Sequence, residues 1–465
     1  MSASGEQLQR IGPIASWRAW LHAQLAGSGI GRTLARGALW SVAANAGGYG
    51  LALVVQVILT RSLGQTQYGN YAYALACMNI ALLFAKLELD TCALRFIGMY
   101  QGASQWSLLR GFLQRAPQLV FLASLGVAAV GALAAVLVRG HLGRGAAATL
   151  EAACLLLPVA AMLELKTRSL HAFRKVPESQ LPTLIVRPLA FGIGVAAATR
   201  VFHVAVTAPD AVGINVVAAA IALCIVMRFL RLATPVEARS VRPSFRTREW
   251  LRTARGFLVI GGAQLILGTQ MDVVVVGSML GAAGAGLYQV ASQLAAVGSL
   301  GVTAIIYTAL AMISDLHARG RRAELQHLVT MLSRANLLVA IGMVVALVVT
   351  GRMILGWFGP TFPAAYPVLL VLSSASFIGS TVGILAGFLL TLTGHHREAA
   401  TVVLGSAILN LALSLLATRT FGAIGTASAT AAAAFLRSGA LVLYCWKLLG
   451  IRLTPFTRSD VVSSV

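Results

Sequence analysis

Long apolar runs recur along the whole chain, and the short segments between them carry nearly all of its charge. Each run is long enough to cross a hydrocarbon core of about 30 Å. A backbone inside a bilayer must satisfy its own hydrogen bonds. These runs are rich in Leu, Val, Ala and Ile without strand alternation, so they read as helices. Hydrophobic residues make up 58% of the chain and charged residues 11%, where a soluble domain carries roughly 25% charged.

Twelve spans are predicted. The first half holds 37–60, 67–87, 116–138, 147–168, 182–203 and 211–231. The second holds 256–279, 284–312, 330–350, 363–392, 399–417 and 422–446. With both ends on one side, 28 of the 36 Lys and Arg fall on that side. Arg61, Arg139, Arg144, Arg200, Arg352 and Arg419 fall on the other, and Arg187 and Arg437 lie inside spans. Basic residues near span ends resist translocation, so the rich side is expected to be the cytoplasm. The expectation is an all-α polytopic protein of the bacterial inner membrane with both termini cytoplasmic.

The expected organisation is a cytoplasmic segment 1–36, a six-helix lobe 37–231, a basic cytoplasmic linker 232–255, a second six-helix lobe 256–446 and a tail 447–465. Segment 1–36, with Trp17, Trp20 and Arg18, suits an interfacial amphipathic helix or a flexible tail. Segment 88–115 is long enough for a short surface helix. Six of the seven tryptophans, Trp250 among them, lie near predicted cytoplasmic ends, as in an interfacial aromatic belt.

The net charge of +22 does not point to a nucleic-acid partner. The basic residues sit in short loops as orientation signals, with no continuous basic face and no base-stacking module. The five cysteines are scattered, with no metal-ligand or disulfide spacing, and read as small packing residues.

The chain also repeats itself. Leu63-Gly64, then Gly69 and Tyr71, recur 217 positions later as Leu280-Gly281, Gly286 and Tyr288. Both copies fall on turns at the same side of the membrane. The repeat therefore preserves topology, and the two lobes should face each other about an axis along the membrane normal, around a central cavity.

Charge inside the spans marks the candidate site. Asp272 stands in the seventh span beside Gln270. An ionised carboxylate there costs about 2.5 kcal/mol or more unless paired or wet. It reads as a cavity acid that takes a proton or ion, as a partner of Arg187 or Arg437, or as a neutral carboxyl bonded across helices. Arg437 lies near mid-depth of the twelfth span, too deep to snorkel easily. A guanidinium there suits the paired oxygens of a phosphate. Arg187 lies nearer the cytoplasmic start of the fifth span, beside Pro188, where snorkelling also accounts for it. Gln270 belongs with Asn45, Gln264 and Asn410 to the amides expected to bond between helices. Glu164 is expected to pair with Arg168 at a span end. No catalytic constellation, nucleotide-binding loop or metal-ligand spacing appears, so neither an enzyme nor a self-powered pump is expected.

Four segments carry a family resemblance: Arg61 to Gly64 with Gly69-Asn-Tyr71; Leu89-Asp90 to Arg95-Phe; Trp357-Phe-Gly359 to Ala365 with Val368-Leu369; and Gly394-His-His-Arg397 with Asn410 and Phe421-Gly422 to Ala427. In order and spacing the chain resembles the polysaccharide transporter family, the lipid-linked oligosaccharide flippases. Multidrug (MATE) exporters and lipid II flippases belong to the same superfamily. The resemblance implies alternating access between two lobes. The implied substrate is an undecaprenyl-diphosphate-linked oligosaccharide, moved from the cytoplasmic to the periplasmic leaflet for O-antigen or exopolysaccharide assembly. Coupling to H+ or Na+, with Asp272 as the ion-coupling candidate, and polymerase and chain-length-regulator partners come with it; no other cofactor is implied. A drug exporter of related fold is the near rival. A glycan polymerase or ligase would need larger loops on the periplasmic side.

Overall fold

The computed structural model describes residues 29–451 and 453; the expectations for 1–28 and for most of the tail fall outside them. The first half contains α1 (Gly29–Lys86), α2 (Leu89–Gly102), α3 (Trp106–Leu137), the short α4 (Arg139–Leu142), α5 (Arg144–Ala172) and α6 (Val176–Leu181). A π-helical turn, Pro182–Val186, leads into α7 (Arg187–Arg200), followed by α8 (Ala208–Ala233) and the short α9 (Val236–Ser240). The second half contains α10 (Thr247–Leu267), α11 (Thr269–Ala318) and α12 (Arg322–Phe358). After a 3-10 turn, Phe362–Ala365, come α13 (Tyr366–Ile378), a π turn Gly379–Gly383, α14 (Ile384–Leu392) and α15 (His396–Leu449). The described residues contain no strand, and eight helical segments are long and apolar enough to cross a membrane.

Three of the long helices are hairpins. A straight helix of 58 residues, as α1 would be, measures ~87 Å, far more than one bilayer. Instead α1 breaks at Gly64, α11 at Gly281 and α15 at Gly422, with φ of 72°, 78° and 62°. L side chains rarely adopt these values and glycine does so freely. Hydrogen bonds close each reversal. Gln56 Nε2 donates to Tyr68 Oη at 2.6 Å, Tyr288 Oη to Asp272 at 2.9 Å, and the Thr418 and Thr426 hydroxyls meet at 2.6 Å. On straight helices these pairs would stand about 12 to 24 Å apart.

The repeat is visible as packing. A β-carbon at Gly69 would lie 1.8 Å from the carbonyl oxygen of Ala282, and one at Gly286 would lie 3.1 Å from that of Gln65. Gly286 is the repeat equivalent of Gly69, and Ala282 of Gln65. The two contacts are therefore one contact seen from each side, as a two-fold relation requires. This seam joins α1 to α11, the most extensive helix pairing in the molecule. The main hydrophobic core continues across it, from Leu59 and Tyr68 to Tyr288, Phe362 and Leu369. Arg61 adds a bond from the α1 turn to the Trp357 carbonyl on α12, at 2.7 Å.

At the arginine-rich end, the expected surface helix is α2, half-embedded through Leu89, Phe96 and Tyr100. Two details differ from expectation. Trp250 is no interfacial belt residue: it is fully buried, set edge-on against Phe112 and donating its ring N–H to Tyr100 at 2.9 Å. The apolar cup formed by α2 and α3 offers the indole more buried area, and a hydroxyl besides, than the interface does. Glu164 pairs with Lys86 at 3.2 Å, not with Arg168. Lys86 also holds Asp90 at 3.1 Å and Glu88 at 3.5 Å. One ammonium thus gathers three carboxylates from α1's end, α2 and α5, which outweighs a local pair along one helix.

Candidate functional site

A cavity of about 300 Å³ lies between the two halves. The first half lines it with both arms of α1, with Thr183 of the π turn and Arg187 just after it, and with Asn215 of α8. The second half contributes Gln270, Gln289 and Gln293 of α11.

Local sequence explains why Arg187 points here. Pro188 has no N–H to return to the preceding turn, so an α register would leave a carbonyl unpaired. The chain widens to a π turn instead, and the Arg187 N–H reaches back to the Pro182 carbonyl. Such turns often mark functional positions. Gly48 on α1 lets this bulge approach: a β-carbon there would stand 3.0 Å from the Leu184 side chain.

Among the described residues the guanidinium forms no ion pair with a carboxylate. Its Nε and Nη2 donate to Asn215 Oδ1 at 3.3 and 3.2 Å. Asn215 Nδ2 in turn donates to Tyr71 Oη at 3.0 Å, and the Tyr71 ring stacks on Phe191 at 6.0 Å between centroids. This chain of contacts fixes the guanidinium while leaving most of its five N–H groups uncommitted. The rest of the polar lining is neutral, and no carboxylate lines the cavity. One of its bonds crosses between halves: Asn79 Nδ2 donates to Gln270 Oε1 at 3.2 Å. Fixed positive charge with amide donors and acceptors around it suits an anionic group carrying hydroxyls, such as a phosphorylated sugar.

The structure therefore brings two of the four predicted residues, Arg187 and Gln270, into one cavity. Asp272 is not among its lining residues. It is 1% exposed and accepts from Tyr288 Oη and Thr430 Oγ1, both at 2.9 Å on the same oxygen. Its other oxygen is buried without a hydrogen-bond partner. Among the described residues it forms no ion pair, so neither Arg187 nor Arg437 is its counter-charge. The two repeat tyrosines thus serve opposite signs: Tyr71 supports an arginine, Tyr288 a carboxyl. Arg437 belongs to neither group. It is half-buried on α15 between exposed Leu436 and buried Ser438. Depth in the span ranks Arg437 above Arg187 by sequence; of the two, it is Arg187 that lines this cavity.

Sequence reasoning missed Gln56, Tyr71, Asn79, Asn215, Gln289 and Gln293. Spacing held one signal: Gln289 and Gln293 stand four apart directly after the repeat tyrosine, on one face of the helix.

Comparisons with known proteins agree with this architecture. Residues 34–317, more than half of the chain, match the family described as polysaccharide biosynthesis protein. A curated relative, the probable low-salt glycan biosynthesis flippase Agl15 of Haloferax volcanii, is 25% identical over 191 residues, 41% of this chain. That match spans 40% of the relative's length. Among solved structures, an inward-facing multidrug resistance MATE family transporter of the MOP superfamily superposes with a TM-score of 0.66 at 13% identity. It covers 87% of this chain and 94% of the other. The lipid II flippase MurJ, in an inward closed conformation, superposes with a TM-score of 0.65 at 13% identity, over 87% of each chain. These likenesses show a shared fold. The chain is a multi-pass membrane protein, and it belongs to the polysaccharide biosynthesis protein family.

Proposed function

We propose that this protein is a flippase for a lipid-linked oligosaccharide, an undecaprenyl-diphosphate glycan, which it carries from the cytoplasmic to the periplasmic leaflet of the inner membrane. The observation that carries the reading is Arg187: a guanidinium with no carboxylate ion pair among the described residues, in an amide-lined cavity shared by both halves. The lipid supplies its own anchor, so only the polar head needs a wet path. An arginine with neutral amides around it offsets the cost of moving a diphosphate through the membrane. The Gln and Asn side chains then meet sugar hydroxyls.

The three glycine hairpins support twelve crossings, and the charge distribution supports cytoplasmic termini. The two-fold seam at Gly69 and Gly286 supports rocking of two lobes about a common axis, with access alternating between leaflets. Asp272, away from the cavity lining but two residues from Gln270, is the candidate for H+ or Na+ coupling. O-antigen or exopolysaccharide assembly, with a polymerase and a chain-length regulator as partners, is the setting that suits such a substrate. A cation exporter fits less well, since Arg187 would repel its substrate.

The test is Arg187→Ala, assayed as lipid-linked oligosaccharide accessible to a periplasmic probe and normalised to protein abundance. The expected result is accumulation at the cytoplasmic leaflet. Wild-type flipping at wild-type abundance would remove the diphosphate from this cavity.

A further inference from the structure

A second cavity, of about 310 Å³, opens at the arginine-rich end of the first half and shares no lining residue with the central one. Its walls bring together Arg110 of α3, Lys166 of α5, Arg231 of α8 and Arg239 of α9, and no carboxylate lines it. Backbone carbonyls occupy two of these cations. Arg110 donates to the Arg239 carbonyl at 2.7 Å and to the Val241 carbonyl, and Arg239 donates to that of Arg231. Such bonds strap the segment after α8 onto α3, together with Ser244 N–H on the Ser107 carbonyl at 2.9 Å. They fix the guanidinium groups without neutralising them.

Lys166 and Arg231 form no ion pair among the described residues, and the Arg231 charge acts directly on Lys166. The nearest acid on α5, Glu164, is committed to Lys86. Like charges gathered in a half-buried cleft repel one another, and an anion seated among them relieves that repulsion. The cavity also has an apolar wall, including Leu113 and Leu230. Beside it in the chain, Leu232 and Val236 are 72% and 73% exposed. In a membrane protein such apolar exposure faces acyl chains, and basic pockets between spans suit anionic headgroups.

We propose that this cavity binds the phosphate group of an anionic phospholipid headgroup, with Lys166 and Arg231 as its direct ligands. The site is separate from the transport cavity, and the flippase reading does not depend on it.

The test uses the full chain in an uncharged detergent. Thermal unfolding is followed against dioleoylphosphatidylglycerol, dioleoylphosphatidylcholine and inorganic phosphate. Phosphatidylglycerol is expected to raise the Tm saturably and phosphatidylcholine is not. The Lys166→Gln/Arg231→Gln variant should weaken that response roughly thirtyfold, at about one unit of headgroup attraction per cation. Arg252→Gln/Arg255→Gln removes the same charge outside the cavity and should keep wild-type affinity. A response reproduced by inorganic phosphate and lost in the cavity variant would assign the site to phosphate itself, free or lipid-borne. Equal phosphatidylglycerol responses in the two variants, or none in the wild type, would overturn the proposal. Should the double variant not fold, Arg231→Gln alone, at an exposed residue, decides: an unchanged affinity sinks the idea.

Discussion

Gly286 stands so close to Gly69 that a β-carbon on it would lie 3.2 Å from the Gly69 α-carbon. This pair sits where the two copies of the repeat meet, so the seam tolerates almost no added volume. Gly69→Ala should lower stability by about 1–3 kcal/mol through overpacking against the Ala282 carbonyl. Gly126, with open space around it, supplies the control. Thermal unfolding in detergent compares the two, and equal Tm values would show that the seam yields.

The Asp272 cluster can be dissected by one atom at a time. Tyr288→Phe removes one of the two hydroxyls on the carboxyl and should cost about 1–3 kcal/mol of stability, because the acceptor stays buried. Asp272→Asn keeps the shape and should reach the membrane in normal amounts yet fail to support glycan export. Normal export at normal abundance would take Asp272 out of the coupling mechanism. Loss of the protein itself would mark the cluster as structural.

Among the described residues Lys86 is the one cation paired with three carboxylates, all within 3.5 Å, and Asp90 is 2% exposed. Lys86→Gln should destabilise the protein by about 3 kcal/mol, as removal of one partner from a buried ionic group does. Combining it with Asp90→Asn should recover part of the loss. Additive losses in the double variant would show that the ammonium and the Asp90 carboxylate do not interact.

Topology can be read chemically. In a cysteine-free background, Phe245→Cys and Thr420→Cys place single thiols at exposed positions on opposite faces of the proposed arrangement. An impermeant thiol reagent should label residue 420 and spare residue 245 in intact spheroplasts. Labelling of 245 from outside would invert the orientation.

Arg437 gives the comparison that ranks the two membrane arginines. Arg437→Ala should flip substrate at close to the wild-type rate, while Arg187→Ala should not. The same periplasmic-probe assay reads both. A stronger defect at Arg437 would restore the order that depth alone suggests.

The helices were legible because apolar runs and positive charge are spread over many residues, and such signals survive local exceptions. The turns were legible at Gly64 and Gly281 because a reversal inside the membrane needs a positive φ, and the repeat put glycine at both. The cavity was less legible. Arg187 could be noticed as a buried charge, but its amide neighbours come from three separate helices and share no common spacing. Trp250 misled for a related reason: proximity to a span end says nothing about whether a neighbouring helix covers the ring. Asp272 stands out in the sequence as an acid within a span, yet its partners are hydroxyls of Tyr288 and Thr430, which no charge count reveals.

Trp250 also decides which way the molecule can divide. It belongs by sequence to the first helix of the second half, but its ring is clamped inside the first half by Phe112 and Tyr100. A little further on, the helix is interrupted at Gly268, whose backbone is extended, with ψ of 156°. Residues 247–267 therefore bridge the halves: the Trp250 end is held by the first half, while the rest of the helix packs chiefly on α15 of its own half, where Asn410 reaches the Ile266 carbonyl. If the lobes swing, this helix is held from both sides, so the movement has to be absorbed along it and not in the connecting loop alone.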